Sequence, residues 1–122
     1  DKQDNIVGIL SVDLSLAWFS KTILDAKPFP NSYSVLLGRG GTFLVHPDST
    51  KLFYETIFTP TLEQPDEEMT KLGKAMIGGE SGYQVLHRDD EDYYVFYKPF
   101  THTGWSVAIV CPESDIFSSY NS

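Results

Sequence analysis

This 122-residue chain has three histidines, whose side chains could bind a metal or take part in catalysis. His46, His87 and His102 lie far apart, without the His-x-x-x-His or carboxylate-spaced pattern of a zinc site. His46 ends an apolar run and is followed by Pro47 and Asp48, which is typical of a hydrogen-bonded structural or pocket-lining histidine. The pattern therefore does not favour a metal centre, and we predict no cofactor.

Ser81 lies in the segment "GESGY", which is similar to the Gly-x-Ser-x-Gly nucleophile elbow of hydrolases. Tyr83 stands where that motif has its last glycine. A predicted helix precedes Ser81 and a predicted strand follows it, whereas the elbow runs from strand to helix. We therefore predict a non-enzymatic domain and keep a hydrolase that uses Ser81 as the less favoured alternative.

An aromatic strand from Tyr93 to Tyr97 is followed by Lys98. Alternation along a strand places Tyr97 and Lys98 on opposite faces, so at most one of them lines a given cleft. A lysine at that position requires solvent, an acidic partner or an anionic ligand. The preceding run Asp89–Asp92 lacks the pattern of a calcium loop and is interpreted as a solvated hairpin tip or a weak cation site.

Composition narrows the class of protein. Seventeen acidic residues against nine Lys and Arg give a formal net charge of −8, which argues against a nucleic-acid surface. One cysteine, Cys111, excludes an internal disulfide and a cysteine zinc site. No segment approaches the roughly 18 apolar residues of a membrane span. Since the chain begins at Asp1, we expect a fragment whose membrane anchors lie outside it.

The elements that must position these residues follow from hydrophobic periodicity and from turn residues. We predict that the chain is one α+β domain with a central antiparallel sheet of about five strands flanked by helices. Pro60 and Pro65 are expected to bracket a loop, and Trp105 and Cys111 to be core. The predicted strands are Ile6–Val12, Tyr33–Leu37, Thr42–His46, Tyr83–His87, Tyr93–Tyr97 and Trp105–Cys111, and the predicted helices are Leu14–Ala26, Asp66–Ile77 and one beginning at Glu113.

Four stretches of the chain, in this order, resemble an extracytoplasmic Cache sensor domain, a PAS-like fold of bacterial membrane receptors. They are "GILSVDLSLAWFSKTI", "YSVLLGRGGTFLVHPD", "LGKAMIGGESGY" and "YYVFYKPFTHTGWSVAIVCPES". The resemblance covers nearly the whole chain. It identifies the glycine-rich bend at Gly38–Gly41 as a hairpin of the sensor sheet rather than a phosphate loop.

The resemblance implies a periplasmic domain of an inner-membrane protein that passes a signal to a cytoplasmic output domain, and such a domain could form a homodimer. That output would be a histidine kinase, a serine phosphatase or a chemoreceptor. Residues 1–122 would form one sensor module, with 1–13 leading in from a preceding module of a double Cache protein. A structural or dimerisation spacer without a ligand stays as the alternative.

A Cache ligand is expected between the sheet and the loop and helix that cover it. The strand ends and that loop supply five candidate contacts, which are His46, Tyr54, Tyr97, Lys98 and Trp105. A lysine beside a neutral histidine and tyrosine hydroxyls would suit a small organic carboxylate. The other hypothesis is that Lys98 pairs with an acid, His46 bonds its own backbone and the aromatic residues fill the core.

Overall fold

A computed structural model describes residues 30–52, 55–100 and 103–120 of the chain. The strands are β1 (Tyr33–Leu37), β2 (Phe43–Val45), β3 (Gly82–Leu86), β4 (Tyr93–Phe100) and β5 (Trp105–Pro112). The helices are α1 (Thr59–Glu63), α2 (Glu67–Ile77) and α3 (Glu113–Tyr120), with a short 3₁₀ turn at Ser49–Lys51. The predicted strand Ile6–Val12 and helix Leu14–Ala26 lie outside the described residues. Within the described ranges, no helix is long and apolar enough to cross a membrane.

The five strands form one antiparallel sheet in the order β2-β1-β5-β4-β3. β4 and β5 form its longest ladder, from the pair Tyr93 and Pro112 to the pair Phe100 and Trp105. β4 extends past the predicted end at Tyr97 and contains Pro99. Because β3 pairs with β4 only as far as Tyr97, the missing N–H of Pro99 interrupts no ladder on that side. The predicted α+β fold with an antiparallel sheet is confirmed.

Helix α2 covers one face of the sheet. Asp66 begins the helix by accepting a hydrogen bond from the Met69 backbone N–H, and two glutamates in the first turn favour the helix dipole. Its buried residues Leu72, Ala75 and Met76 pack against apolar side chains of the strands. These strand residues are Val35, Leu37, Phe43, Val95, Tyr97, Ala108 and Val110. The space between α2 and the sheet is therefore filled by an apolar core.

The opposite face of the sheet packs against α3 through Ile116. Cys111 lies in this second core and is 0% exposed, as predicted. The prediction that Trp105 is core is wrong, because 36% of this residue is exposed. Trp105 is the first residue of β5 and lies at the end of the sheet, where its ring stacks on Phe100 at a centroid distance of 5.9 Å.

The segment between Pro60 and Pro65 also differs from the prediction. Thr59–Glu63 forms the short helix α1 rather than a loop, and Pro60 lies in its first turn. Proline is tolerated there because the backbone N–H it lacks would have no partner within the helix. The helix beginning at Glu113 was predicted and is present.

Candidate functional site

A groove of about 540 Å³ runs alongside α2, between this helix and β3. That volume lies within the range of roughly 300–1,000 Å³ typical of small-molecule sites. Its polar lining comes from α2, from the turn after α2 and from strands β3 and β4. These residues are Asp66, Glu67, Thr70, Lys71, Lys74, Glu80, Gln84 and Tyr97.

Tyr97 connects the groove to the core. Only 9% of the residue is exposed, and its ring belongs to the core between α2 and the sheet. Its hydroxyl makes no hydrogen bond to another described residue. Since every fully buried polar side-chain atom of the described residues has a partner, this hydroxyl is not fully buried and is accessible from the groove that Tyr97 lines. Burial, and then the charge of Glu80, raise the pKa of Tyr97 and keep it a neutral hydrogen-bond donor.

Lys71 and Lys74 supply positive charge to the same groove. They are three residues apart on α2, so they lie on the same side of the helix. Both are exposed, and neither forms an ion pair with a residue in the described part of the chain. Three carboxylates, of Asp66, Glu67 and Glu80, line the groove as well, and Arg88 already binds that of Asp66. The lining can therefore hold a carboxylate and an ammonium group of one ligand.

Glu68 ties the first turn of α2 to the end of β3. Its carboxylate accepts hydrogen bonds from the His87 backbone N–H, at 2.9 Å, and from Arg88 Nη1, at 3.3 Å, and it also bonds His87 Nδ1. Arg88 also binds Asp66 at 2.9 Å. The bond to His87 lowers the pKa of Glu68, and the bonded Glu68 and nearby Asp92 raise the pKa of His87.

The acidic run Asp89–Asp92 lies next to the first turn of α3. The backbone oxygen of Asp92 accepts a hydrogen bond from Glu113 N at 2.9 Å, and Glu91 Oε2 accepts one from Ser114 N at 3.1 Å. The Tyr93 hydroxyl donates to Asp90 at 2.6 Å, and this bond raises the pKa of Tyr93 to about 12. Part of the run predicted to be a solvated tip therefore holds the start of a helix.

The structure separates the candidate contacts predicted from the sequence. His46 Nδ1 accepts a hydrogen bond from Asp48 N at 2.9 Å, and its ring packs 4.7 Å from that of Phe43. Burial lowers the pKa of His46. Strands β1 and β5 lie between His46 and the strand of Tyr97, a separation of about 14 Å at the usual strand spacing.

The remaining candidates lie elsewhere. Lys98 pairs with Val107 and lies, by strand alternation, on the α3 face together with Trp105, opposite to Tyr97. Tyr54 lies outside the described residues. Of the predicted contacts that lie in the described ranges, the groove contains Tyr97 alone. Lys71, Lys74 and Glu80 were missed, although two lysines on the polar side of a predicted helix were visible in the sequence.

Solved structures show the same fold. The extracellular domain of mmHK1S-Z3, which is named as a histidine kinase, matches 87% of this chain with a TM-score of 0.69 and 16% identity. The periplasmic sensory domain of the Campylobacter jejuni chemoreceptor Tlp1 matches 75% with a TM-score of 0.59 and 20% identity. The ligand-binding domain of the Pseudomonas fluorescens chemoreceptor CtaA, in complex with L-leucine, matches 77% with a TM-score of 0.51 and 16% identity.

The chain thus has the fold of extracellular and periplasmic sensory domains, as its resemblance to Cache domains implied. It spans less than half of each of these structures, 39%, 32% and 36% of their respective chains. No protein-family model matches the chain, and no curated protein matches it in sequence.

Proposed function

We propose that this chain is an extracytoplasmic sensory module of a membrane-anchored receptor, which detects a small molecule and relays the signal to a cytoplasmic output domain. The fold supports this, because the same architecture occurs in the extracellular part of a protein named as a histidine kinase and in a chemoreceptor. Helix α3 directly follows the central strand β5, and it is the element through which the signal would leave the module. The homodimer, the preceding module and the type of output domain stay predictions.

The observation that carries the ligand proposal is the accessible hydroxyl of the buried Tyr97 beside two lysines without an ion-pair partner in the described residues. A carboxylate would receive a hydrogen bond from the tyrosine and the charge of Lys71 and Lys74. Glu80 would bind an ammonium group, so the lining offers a partner to each charged group of an amino acid. CtaA has been solved with such a ligand, L-leucine.

The spacer without a ligand is the second candidate, and one observation favours it. Apolar side chains fill the space between α2 and the sheet, where the resemblance implied a ligand pocket. A spacer would gain no stability from any small molecule. The hydrolase hypothesis has less support, since Ser81 is exposed and no hydrogen bond joins it to a histidine within the described residues.

A thermal-shift screen with organic acids, L-amino acids and amines tests the sensory proposal. A compound that binds only the folded chain stabilises it by about 2.7 kcal/mol at 100 times its dissociation constant. We expect stabilisation by a compound that carries a carboxylate and none by the matching amide or alcohol. The absence of any stabilising compound would favour the spacer.

A further inference from the structure

A continuous set of polar contacts runs from the groove helix α2 to the first turn of α3. It begins at Glu68, whose carboxylate binds the backbone and ring of His87. The other ring nitrogen, Nε2, lies 3.8 Å from the carboxylate of Asp92. The backbone oxygen of Asp92 in turn accepts the hydrogen bond from Glu113 N. In this series of contacts, the His87 side chain therefore joins Glu68 of α2 to Asp92, the residue that binds the start of α3.

The protonated and neutral forms of the His87 imidazole interact differently with Glu68 and Asp92. A protonated ring has two N–H donors and can interact favourably with the carboxylates of Glu68 and Asp92 at the same time. A neutral ring has one donor, so the bond to Glu68 leaves an unprotonated nitrogen facing the carboxylate of Asp92. Loss of the proton therefore replaces an attraction on the Asp92 side by a repulsion between lone pairs and a carboxylate.

We propose that His87 is a proton-binding site through which the acidity of the surroundings acts on the first turn of α3. This gives the domain an input that does not need a ligand in the groove. The inference rests on the proposed function in two respects only, the extracytoplasmic location and the use of α3 as the output element.

The charges around His87 favour the protonated form of its ring. Glu68 from α2 and Asp92 from the β3–β4 loop attract the proton, and Arg88 opposes them. Arg88 is itself bound to Asp66 and Glu68, which reduces its opposing effect. The side chain of His87 is 67% exposed, so protons exchange freely with solvent.

The pH window follows from the two shifts. Since the folded state raises the pKa of His87, the contact contributes fully below the ordinary histidine pKa and is lost as pH rises through the folded value. On the acid side, the lowered pKa of Glu68 means that its contribution is lost only as pH falls through that lowered value. The contacts of His87 with Glu68 and Asp92 therefore form in mildly acidic medium and weaken toward alkaline medium.

An NMR titration of the 122-residue chain without ligand tests this proposal. We expect the His87 ring to titrate with a midpoint above 6.5, and the Glu113 and Ser114 amide signals to shift with the same midpoint. In His87→Gln, the shift of these two amides should disappear. His46→Gln is the matched control and should leave the amide shift intact. His46 directly follows β2, its ring packs against Phe43, and its pKa is lowered instead.

Two results would overturn the proposal: a His87 midpoint at or below that of His46, or α3 amides that do not follow His87. Glu68→Gln gives a second check that keeps the histidine, and it should lower the His87 midpoint. These outcomes are distinguishable from failure of the sensory proposal. Ligand stabilisation in the groove is measured at constant pH and does not require His87 to titrate.

Discussion

Asn31 binds Asp115 through two hydrogen bonds, although the residues are 84 positions apart in the sequence. The Asn31 backbone N–H donates to Asp115 Oδ2 at 2.6 Å, and Asn31 Nδ2 donates to Asp115 Oδ1 at 2.9 Å. Asp115 lies in the first turn of α3, to which Glu91 and Asp92 also bind. The start of the proposed output helix is therefore fixed by two separate segments.

Asp115→Ala should loosen the first turn of α3. The variant loses both bonds from Asn31, and we expect the free energy of unfolding to fall by about 1 kcal/mol. Hydrogen exchange of the α3 amides should become faster, while exchange in β4 and β5 stays slow. Asp89→Ala is the control, because Asp89 forms no hydrogen bond within the described residues. Equal exchange in the two variants would contradict the assigned role of Asp115.

Gly73→Ala should destabilise the contact between α2 and the segment before α1. A Cβ on Gly73 would lie 2.5 Å from Phe58 Cε1 and 2.9 Å from Ile57 Cγ2, so these side chains must move. Overpacking of this kind costs about 1–3 kcal/mol, which exceeds the gain of up to about 1 kcal/mol in helix propensity.

Gly40→Ala is the matched control, since a Cβ there has no atom within 4 Å. Chemical denaturation should show a lower free energy of unfolding for Gly73→Ala but not for Gly40→Ala. If Phe58 causes that loss, combining Gly73→Ala with Phe58→Ala should cost less than the sum of the two single changes. Strict additivity would rule out Phe58 as the source of the strain.

Trp105→Ala should cost less stability than Ile109→Ala, although the tryptophan is larger. Trp105 is 36% exposed, and its main described contact is the stack on Phe100, worth about 0.5–1.5 kcal/mol. Ile109 is 1% exposed, and truncating a buried isoleucine costs about 2–5 kcal/mol. Urea denaturation of both variants measures the difference, and the reverse order would contradict the placement of Trp105.

Cys111 should be inert toward thiol reagents in the folded chain. It is 0% exposed in the core between the sheet and α3. Its modification should therefore follow the rate of unfolding and increase with denaturant. Rapid, stoichiometric labelling in native buffer would show that this core opens without global unfolding.

The sheet was predictable because each strand is short, apolar and bounded by turn residues. Tyr33–Leu37 was placed without error, and Tyr93 and Trp105 were correct strand starts. Trp105 was placed in the core because apolar type predicts burial on average, whereas its position at the end of the sheet is a tertiary property. The missed helix at Thr59–Glu63 has no buried residues, so it has no hydrophobic periodicity to detect.

The candidate site was less predictable than the fold. Strand alternation correctly separated Tyr97 from Lys98, but it could not show which face carries a groove. The groove depends on the packing of α2 beside β3, and that position is fixed by contacts of Glu68 with Gln84, His87 and Arg88, about 16–20 residues away in sequence. No local pattern around Lys71 or Lys74 indicates those partners.

Binding of the most stabilising carboxylate from the screen, measured by calorimetry on three variants, tests the central claim most directly. Tyr97→Phe removes only the hydroxyl and should raise the dissociation constant at least about tenfold, because a hydrogen bond to a charged group contributes about 1.5–3 kcal/mol. Lys74→Gln should also weaken binding, while Lys98→Gln, on the opposite face, should bind as the unchanged chain does. Unchanged affinity in Tyr97→Phe together with weakened binding in Lys98→Gln would contradict the groove as the ligand site.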